Sequence, residues 1–332
     1  MDTSTDSRHE TSRQAGEPVV SLRDITRRFG SILAVDGVSF DVHRGEVVGF
    51  LGPNAAGKTT TMRILTCFIT ADEGTATVAG YDVVEDPIEV RRRVGYLPES
   101  APLYTDLGVL EHLRFVAELR GIPPRDVKRS VDRMVDACGL EPVAQRIVGE
   151  LSKGYRQRVG LANTMIHDPD VLVLDEPTTG LDPSQIIEIR ELVRRIGREK
   201  TVILSTHILP EVEAVSSRVL IINAGRIVAT GTPGDLARMT AGRGAVRVSM
   251  LAPEREALAA LSALPCAQDV ERVAKEPGGY VVYSVSGSDS DSLAEAVYDL
   301  SRARNWRLRE LSRKTPSLED VFLDVTSGRG RA

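Results

Sequence analysis

One segment restricts the possible folds of this chain more than any other. Gly52-Pro53-Asn54-Ala55-Ala56-Gly57-Lys58-Thr59 fits the pattern G-x-x-x-x-G-K-[ST] and follows an apolar run, Val47-Val48-Gly49-Phe50-Leu51. Such a loop works only between a buried strand and a helix. Small residues let successive backbone N–H groups turn inward on a phosphate, and the helix N-terminus adds positive potential. The sequence supplies both neighbours, because residues 47–51 read as a buried strand and residues 59–69 as a helix. In this setting Lys58 is expected to meet the β- and γ-phosphates, and the Thr59 hydroxyl to ligate Mg²⁺. Gly52, Asn54, Ala55, Ala56, Gly57 and Thr60 complete the expected nucleotide-binding loop.

The alternation continues. Val171-Leu172-Val173-Leu174, Thr201-Val202-Ile203-Leu204 and Val219-Leu220-Ile221-Ile222 read as further buried strands, with helical stretches at 184–198 and 210–215 between them. Strands alternating with helices imply an α/β core with a mostly parallel sheet covered on both faces. Asp175 ends one of these strands, where a carboxylate beside a phosphate loop holds Mg²⁺ through water. Glu176 follows it and suits a general base or water-positioning role. Residues 103–163 are helix-rich and lack apolar strand runs, so they read as a helical insertion.

Residues 1–17 carry almost no large apolar side chains and are expected to be a disordered tail. The first domain is expected over 18–238, a linker at 239–244, a second domain over 245–326 and a short tail at 327–332. The order of elements in the second domain reads as βαββαβ, that of a small α+β ferredoxin-like domain. A last helix is expected after Pro316 with Ser317 as N-cap.

Composition narrows the function classes. The 332 residues carry a net charge of −5 and 4% aromatics, which argues against nucleic acid as a partner. The three cysteines form no CxxC pair, so neither a zinc site nor a disulfide framework is indicated. His112 and His167 lack ligand-spaced partners and read as surface or half-buried residues. No stretch reaches the roughly 18–20 apolar residues that span a bilayer, so any link to a membrane is expected to run through another chain.

Further motifs carry a resemblance. Leu151-Ser152-Lys153-Gly154-Tyr155-Arg156-Gln157-Arg158 looks like the signature of the ATP-binding subunits of ABC transporters. Thr178-Thr179-Gly180-Leu181-Asp182-Pro183 is similar to that family's D-loop, and Ser205-Thr206-His207 to its switch histidine. The resemblance covers residues 19–236 and implies a P-loop ABC ATPase core with antiparallel β and helical subdomains. It also implies ATP and Mg²⁺ as ligands. Two copies pair head to tail, with Ser152, Gly154 and Gln157 of one copy facing the phosphate loop of the other. His207 joins Glu176 in catalysis, Asp182 couples the two sites, and Phe29 stacks on adenine. The partner implied is a transmembrane permease, which would place the chain in the cytoplasm at the inner face of the membrane. A soluble switch acting on ribosomes or DNA, and a nucleotide-occupancy module with little turnover, are the competing readings.

Two positions depart from the family pattern. Ala55 stands where glycine is usual; if the backbone there needs a positive φ, alanine costs about 1–2 kcal/mol, and otherwise it is harmless, the reading preferred here. Glu99 stands where most relatives carry a glutamine that contacts Mg²⁺ and the lytic water. It keeps an oxygen ligand and adds negative charge. Glu99 and the ending Ser317-Leu318-Glu319-Asp320-Val321-Phe322 resemble the ABC-2-type exporter branch, which includes gliding-motility-like and drug-export-like subunits.

Overall fold

The computed structural model describes residues 17–239, 244–287, 289–314, 319 and 321–322. The expectations for residues 1–16, Ser317 and the 327–332 tail lie outside these. The chain divides into two compact units, 1–232 and 233–332.

In the first unit the strands are β1 (Val20–Phe29), β2 (Ile32–Val42), β3 (Val47–Leu51), β4 (Glu73–Val78), β5 (Tyr81–Asp82), β6 (Val94–Leu97), β7 (Val171–Asp175), β8 (Thr201–Thr206), β9 (Arg218–Asn223) and β10 (Arg226–Gly231). The helices are α1 (Lys58–Leu65), α2 (Pro87–Arg93), α3 (Val109–Leu119), α4 (Pro124–Cys138), α5 (Lys153–Met165), α6 (Pro183–Ile196) and α7 (Leu209–Val215). A four-stranded antiparallel sheet has the order β2-β1-β4-β5, and a six-stranded sheet the order β10-β9-β3-β8-β7-β6.

The six-stranded sheet is parallel from β9 to β6, and only β10 runs against it, in a hairpin with β9. Every residue of β3, β7 and β8 is buried, as covering on both faces demands. β1 mixes buried and exposed positions instead, because its antiparallel sheet packs one face on the core. Residues 103–163 hold α3, α4 and α5 and no strand among the described residues. Their apolar faces meet in one core with Leu97, Leu172 and Leu174 of the sheet.

Some boundaries differ from the sequence reading. α1 stops at Leu65 rather than near residue 69. The Thr66 hydroxyl donates back to the Met62 carbonyl at 2.9 Å, and Cys67 takes a left-handed φ of 56° that ends the helix. His112 is fully buried in α3, with no hydrogen-bond partner at either ring nitrogen.

The second unit begins with α8 (Pro233–Met239), which occupies residues read as domain end and linker. Proline in the first turn and a fully buried Leu236 make this polar stretch a helix. Then come β11 (Gly244–Leu251), α9 (Glu254–Ser262), β12 (Ala267–Lys275), β13 (Val281–Gly287), α10 (Ser290–Ala303) and β14 (Arg307–Lys314). The order is βαββαβ, and the antiparallel sheet runs β12-β13-β11-β14. Its core gathers Val246, Val248, Tyr283, Leu293 and Val297.

Candidate active site

Neighbouring strands β3, β8 and β7 end side by side, so the residues that follow them emerge at one edge of the sheet. β3 pairs Leu51 with Thr206, and β7 pairs Asp175 with Ser205. The phosphate loop, the Asp175–Glu176 pair and His207 are therefore brought together by register alone.

The loop wraps the N-terminus of α1. Gly57 has φ +107°, and a Cβ there would lie 2.5 Å from the Ala34 carbonyl oxygen, so only glycine fits. Ala55 has φ +62°. The preference for a harmless alanine is thereby corrected: the position is left-handed, and the side chain carries the strain that glycine would avoid.

The Lys58 side chain is buried, and its Nζ donates to the carbonyls of Gly52 at 2.9 Å and Pro53 at 3.1 Å. It lies 3.3 Å from Glu176 Oε1, and both side chains are under one-tenth exposed. The other Glu176 oxygen, Oε2, sits 2.8 Å from His207 Nδ1 and accepts from the Thr179 hydroxyl at 3.3 Å. Glu176 also holds a left-handed φ of 51°, a strained conformation of the kind that persists where surrounding structure fixes it. Its N–H donates to the Ser205 carbonyl at 3.0 Å, which locks the turn onto β8.

Asp175 is 1% exposed; its Oδ1 accepts from the Ser205 hydroxyl, and Oδ2 has no hydrogen-bond partner. An orphaned buried carboxylate oxygen behind the loop, with Thr59 and Glu99 on the cleft beside it, is a donor set of the all-oxygen kind that suits Mg²⁺. Burial, and behind it the Asp175 carboxylate, push the neighbouring Tyr96 phenol up to about 12.

These groups line a cleft of about 690 Å³, bounded by residues 32–34 and 54–60 with Glu99, Glu176, Thr179 and His207. Of the residues expected from sequence, Asn54, Ala55, Ala56, Gly57, Lys58, Thr59, Thr60, Glu99, Glu176 and His207 meet here. Gly52 and Asp175 stand directly behind, both buried. Phe29 lies off the lining at the end of β1, paired with Ile32, and its ring carries the Arg27 guanidinium at 4.9 Å. Sequence reasoning passed over the apolar wall Ile32, Leu33 and Ala34, although it follows the Phe29-Gly30 turn directly.

The signature residues are elsewhere. Ser152 caps α5, its hydroxyl accepting from the Tyr155 N–H at 3.3 Å. Gly154 is buried under Gln185, and Gln157 is 7% exposed within the packing of α5. Asp182 caps α6, accepting from the Gln185 N–H at 3.0 Å and the Ser184 hydroxyl at 2.6 Å. The Ser184 hydroxyl, ahead of the Gln185 N–H, holds its carboxyl below the usual range.

The sequence and the fold are similar to those of known proteins. Residues 35–179 match the family described as ABC transporter. The chain is 36% identical over 234 residues to the "Probable multidrug ABC transporter ATP-binding protein YbhF" of Escherichia coli (strain K12), covering 70% of this chain and 40% of that protein's length. It is 35% identical over 317 residues to the "Nod factor export ATP-binding protein I" of Ralstonia nicotianae, covering 93% of this chain and 94% of the relative. A solved "Structure of ATP binding subunit of ABC transporter" superposes with a TM-score of 0.61 at 29% identity, covering 67% of this chain and 93% of the other. With the phosphate loop, the buried Lys58–Glu176 pair and His207 set at adjoining strand ends, this likeness places the chain in the ABC transporter family, among its ATP-binding subunits.

Proposed function

We propose that this chain binds ATP with Mg²⁺, hydrolyses it, and thereby drives export through a separate transmembrane permease. The observation that carries the reading is the meeting of Lys58, Glu176 and His207, within 3.3 Å and 2.8 Å of one another, on the cleft that the phosphate loop lines. Lys58 exchanges its carbonyl and carboxylate partners for phosphate oxygens. Thr59, Asp175 and Glu99 hold the metal, which when bound neutralises charge on the β- and γ-phosphates. Glu176 accepts the proton of the attacking water, and His207 steadies Glu176 and the γ-phosphate. Phe29 and Ile32, paired across the β1–β2 turn, offer the adenine an apolar edge.

A second copy completes each site. Ser152 and the Gly154 backbone sit at the N-terminus of α5, a ready anion site outside the lining of the chain's own cleft, with Gln157 buried in the same helix. Asp182 fixes the start of α6 close by. ATP closes the head-to-tail pair and hydrolysis reopens it, so the permease alternates between two states.

Two clefts supply a seat for that permease. One, of about 650 Å³, is lined by Tyr104, Leu107, Glu111, Arg114 and Phe115 among others. The other, of about 300 Å³, joins Arg63, Arg91 and Arg120 to the orphaned Tyr96 hydroxyl, and suits a segment with an acidic side chain. They flank the loop that carries Glu99, so seating a cytoplasmic helix there would move a group of the nucleotide cleft. Among the described residues no helix is long and apolar enough to cross a membrane, which fits attachment at the inner face through the permease. The export direction follows the printed name of the Ralstonia relative.

Comparing ATP turnover of the purified chain with that of Glu176→Gln tests the reading. Equal rates would remove Glu176 from the chemistry, and co-purification with a polytopic membrane protein in detergent is the expected sign of the permease.

A further inference from the structure

One buried carboxyl group has no part in the steps above. Glu211 lies in the first turn of α7, is 1% exposed and does not line the cleft. The Thr178 hydroxyl donates to its Oε1 at 2.5 Å, and the Thr206 hydroxyl to its Oε2 at 2.8 Å. The same Thr206 oxygen accepts from the Ile208 N–H at 3.0 Å. Both threonines are buried, at 4% and 0% exposure.

Their positions give the contact its meaning. Thr178 stands two residues after Glu176, and Thr206 directly before His207. A single side chain therefore ties together the two backbone segments that present the Glu176–His207 pair. The tie is itself anchored, because Val212 next door packs over Gly49 of β3. A Cβ at Gly49 would lie 2.6 Å from Val212 Cγ1 and 2.7 Å from Ser216 Oγ. The strand that carries the phosphate loop thus shares one rigid reference with both catalytic loops. Burying a polar group is costly unless it is hydrogen-bonded, and an apolar residue of this volume would fill the same space. Two hydroxyl donors, one to each oxygen, instead select one rotamer for three side chains at once.

We propose that Glu211 is a positioning residue for ATP turnover: by holding Thr178 and Thr206 it keeps Glu176 and His207 in register. The proposal rests on the ATPase reading above. Since none of the three clamp residues lines the cleft, the effect falls on kcat and spares ATP binding.

The test uses the full chain with Mg²⁺ and ATP. Glu211→Gln keeps the volume but turns one acceptor into an N–H donor facing a threonine hydroxyl. It is expected to lower kcat at least about tenfold, with KM and the ATP Kd within about twofold of wild type. Thr178→Val and Thr206→Val each remove one donor and are expected to lower kcat several-fold, whereas Thr178→Ser and Thr206→Ser keep it. In a His207→Ala background, Glu211→Gln is expected to cost less than about twofold more, because the pair it positions is already broken. Wild-type kcat in Glu211→Gln, or the same fractional loss in both backgrounds, overturns the proposal. Should that variant not fold, the valine and serine pairs decide: equal kcat for valine and serine overturns it. A wild type without turnover defeats the ATPase reading and this proposal together. Turnover that stops in Glu176→Gln but persists in Glu211→Gln defeats the positioning role alone.

Discussion

At the ends of β3, β7 and β8, titratable side chains converge: Lys58 lies 3.3 Å from Glu176, and Glu176 2.8 Å from His207. At the start of α5 the Ser152 hydroxyl serves its own helix, accepting from the Tyr155 N–H, and no residue of 152–157 lines the cleft. The first face is equipped for bond breaking, with a buried cation, a carboxylate and an imidazole. The second is equipped for recognition, with a helix N-terminus and a hydroxyl. On the proposed function, the difference means that one chain holds both halves of a reaction centre and lends its recognition half to a second copy.

The largest effect expected is on the first face. Glu176→Gln should cut turnover by about 10²–10⁴-fold, the usual worth of a positioned base, while ATP binding persists; steady-state hydrolysis beside equilibrium nucleotide binding checks both. Ser152→Asp probes the second face. Aspartate caps a helix as well as serine does, so stability should hold, but its charge would oppose a phosphate offered by a second copy. Turnover should fall by roughly 10–100-fold with the isolated chain's ATP affinity unchanged. If affinity fell equally, the two faces would not be distinct.

Acid should loosen the α5 side first. His167 follows the end of α5, and its Nε2–H donates to the Val94 carbonyl at 3.1 Å, leaving Nδ1 buried without a partner. Burial, and then the Arg120 charge, hold its pKa down to about 4. A folded value below the unfolded one, near 6.5, means the unfolded chain takes up the proton first. Stability is therefore complete above about pH 6.5 and falls as pH drops toward 4, by up to roughly 3 kcal/mol. Burial lowers His112 in the same direction. Urea unfolding at pH 7 and pH 4.5 should show the loss, and His167→Phe should flatten it; an unchanged slope would exclude His167 as the cause.

The smallest effect returns to the phosphate loop. Ala55→Gly removes about 1–2 kcal/mol of left-handed strain, offset by up to about 1 kcal/mol of unfolded-chain entropy. A rise in Tm of about 1–3 °C is expected, and a fall would mean that alanine is at ease there.

Much of this was readable in the sequence, for identifiable reasons. Buried parallel strands appear as unbroken apolar runs, so β3, β7, β8 and β9 stood out, and the phosphate loop announced itself between strand and helix. The second unit's βαββαβ order followed from its alternating pattern. What stayed hidden depends on contacts between distant segments. The end of α1 rests on a threonine back-bond and a left-handed Cys67, neither of which has a periodic signal. Residues 233–239 read as a domain end running into a linker because Leu236 is the one buried residue among the described side chains of α8. The φ of Ala55 is set by the closed loop, and an alanine there gives no hint of it. Burial of Gln157, and the clamp of Glu211 on Thr178 and Thr206, arise only when helix faces and strand ends are assembled.

The claim that one copy lends its recognition face to another is tested most directly by the mass of the chain in solution. Sedimentation velocity of Glu176→Gln with Mg²⁺ and ATP should show a dimer that reverts to monomer in ADP, and Ser152→Asp added to it should stay monomeric. A monomer under ATP, with the permease also present, would contradict the account.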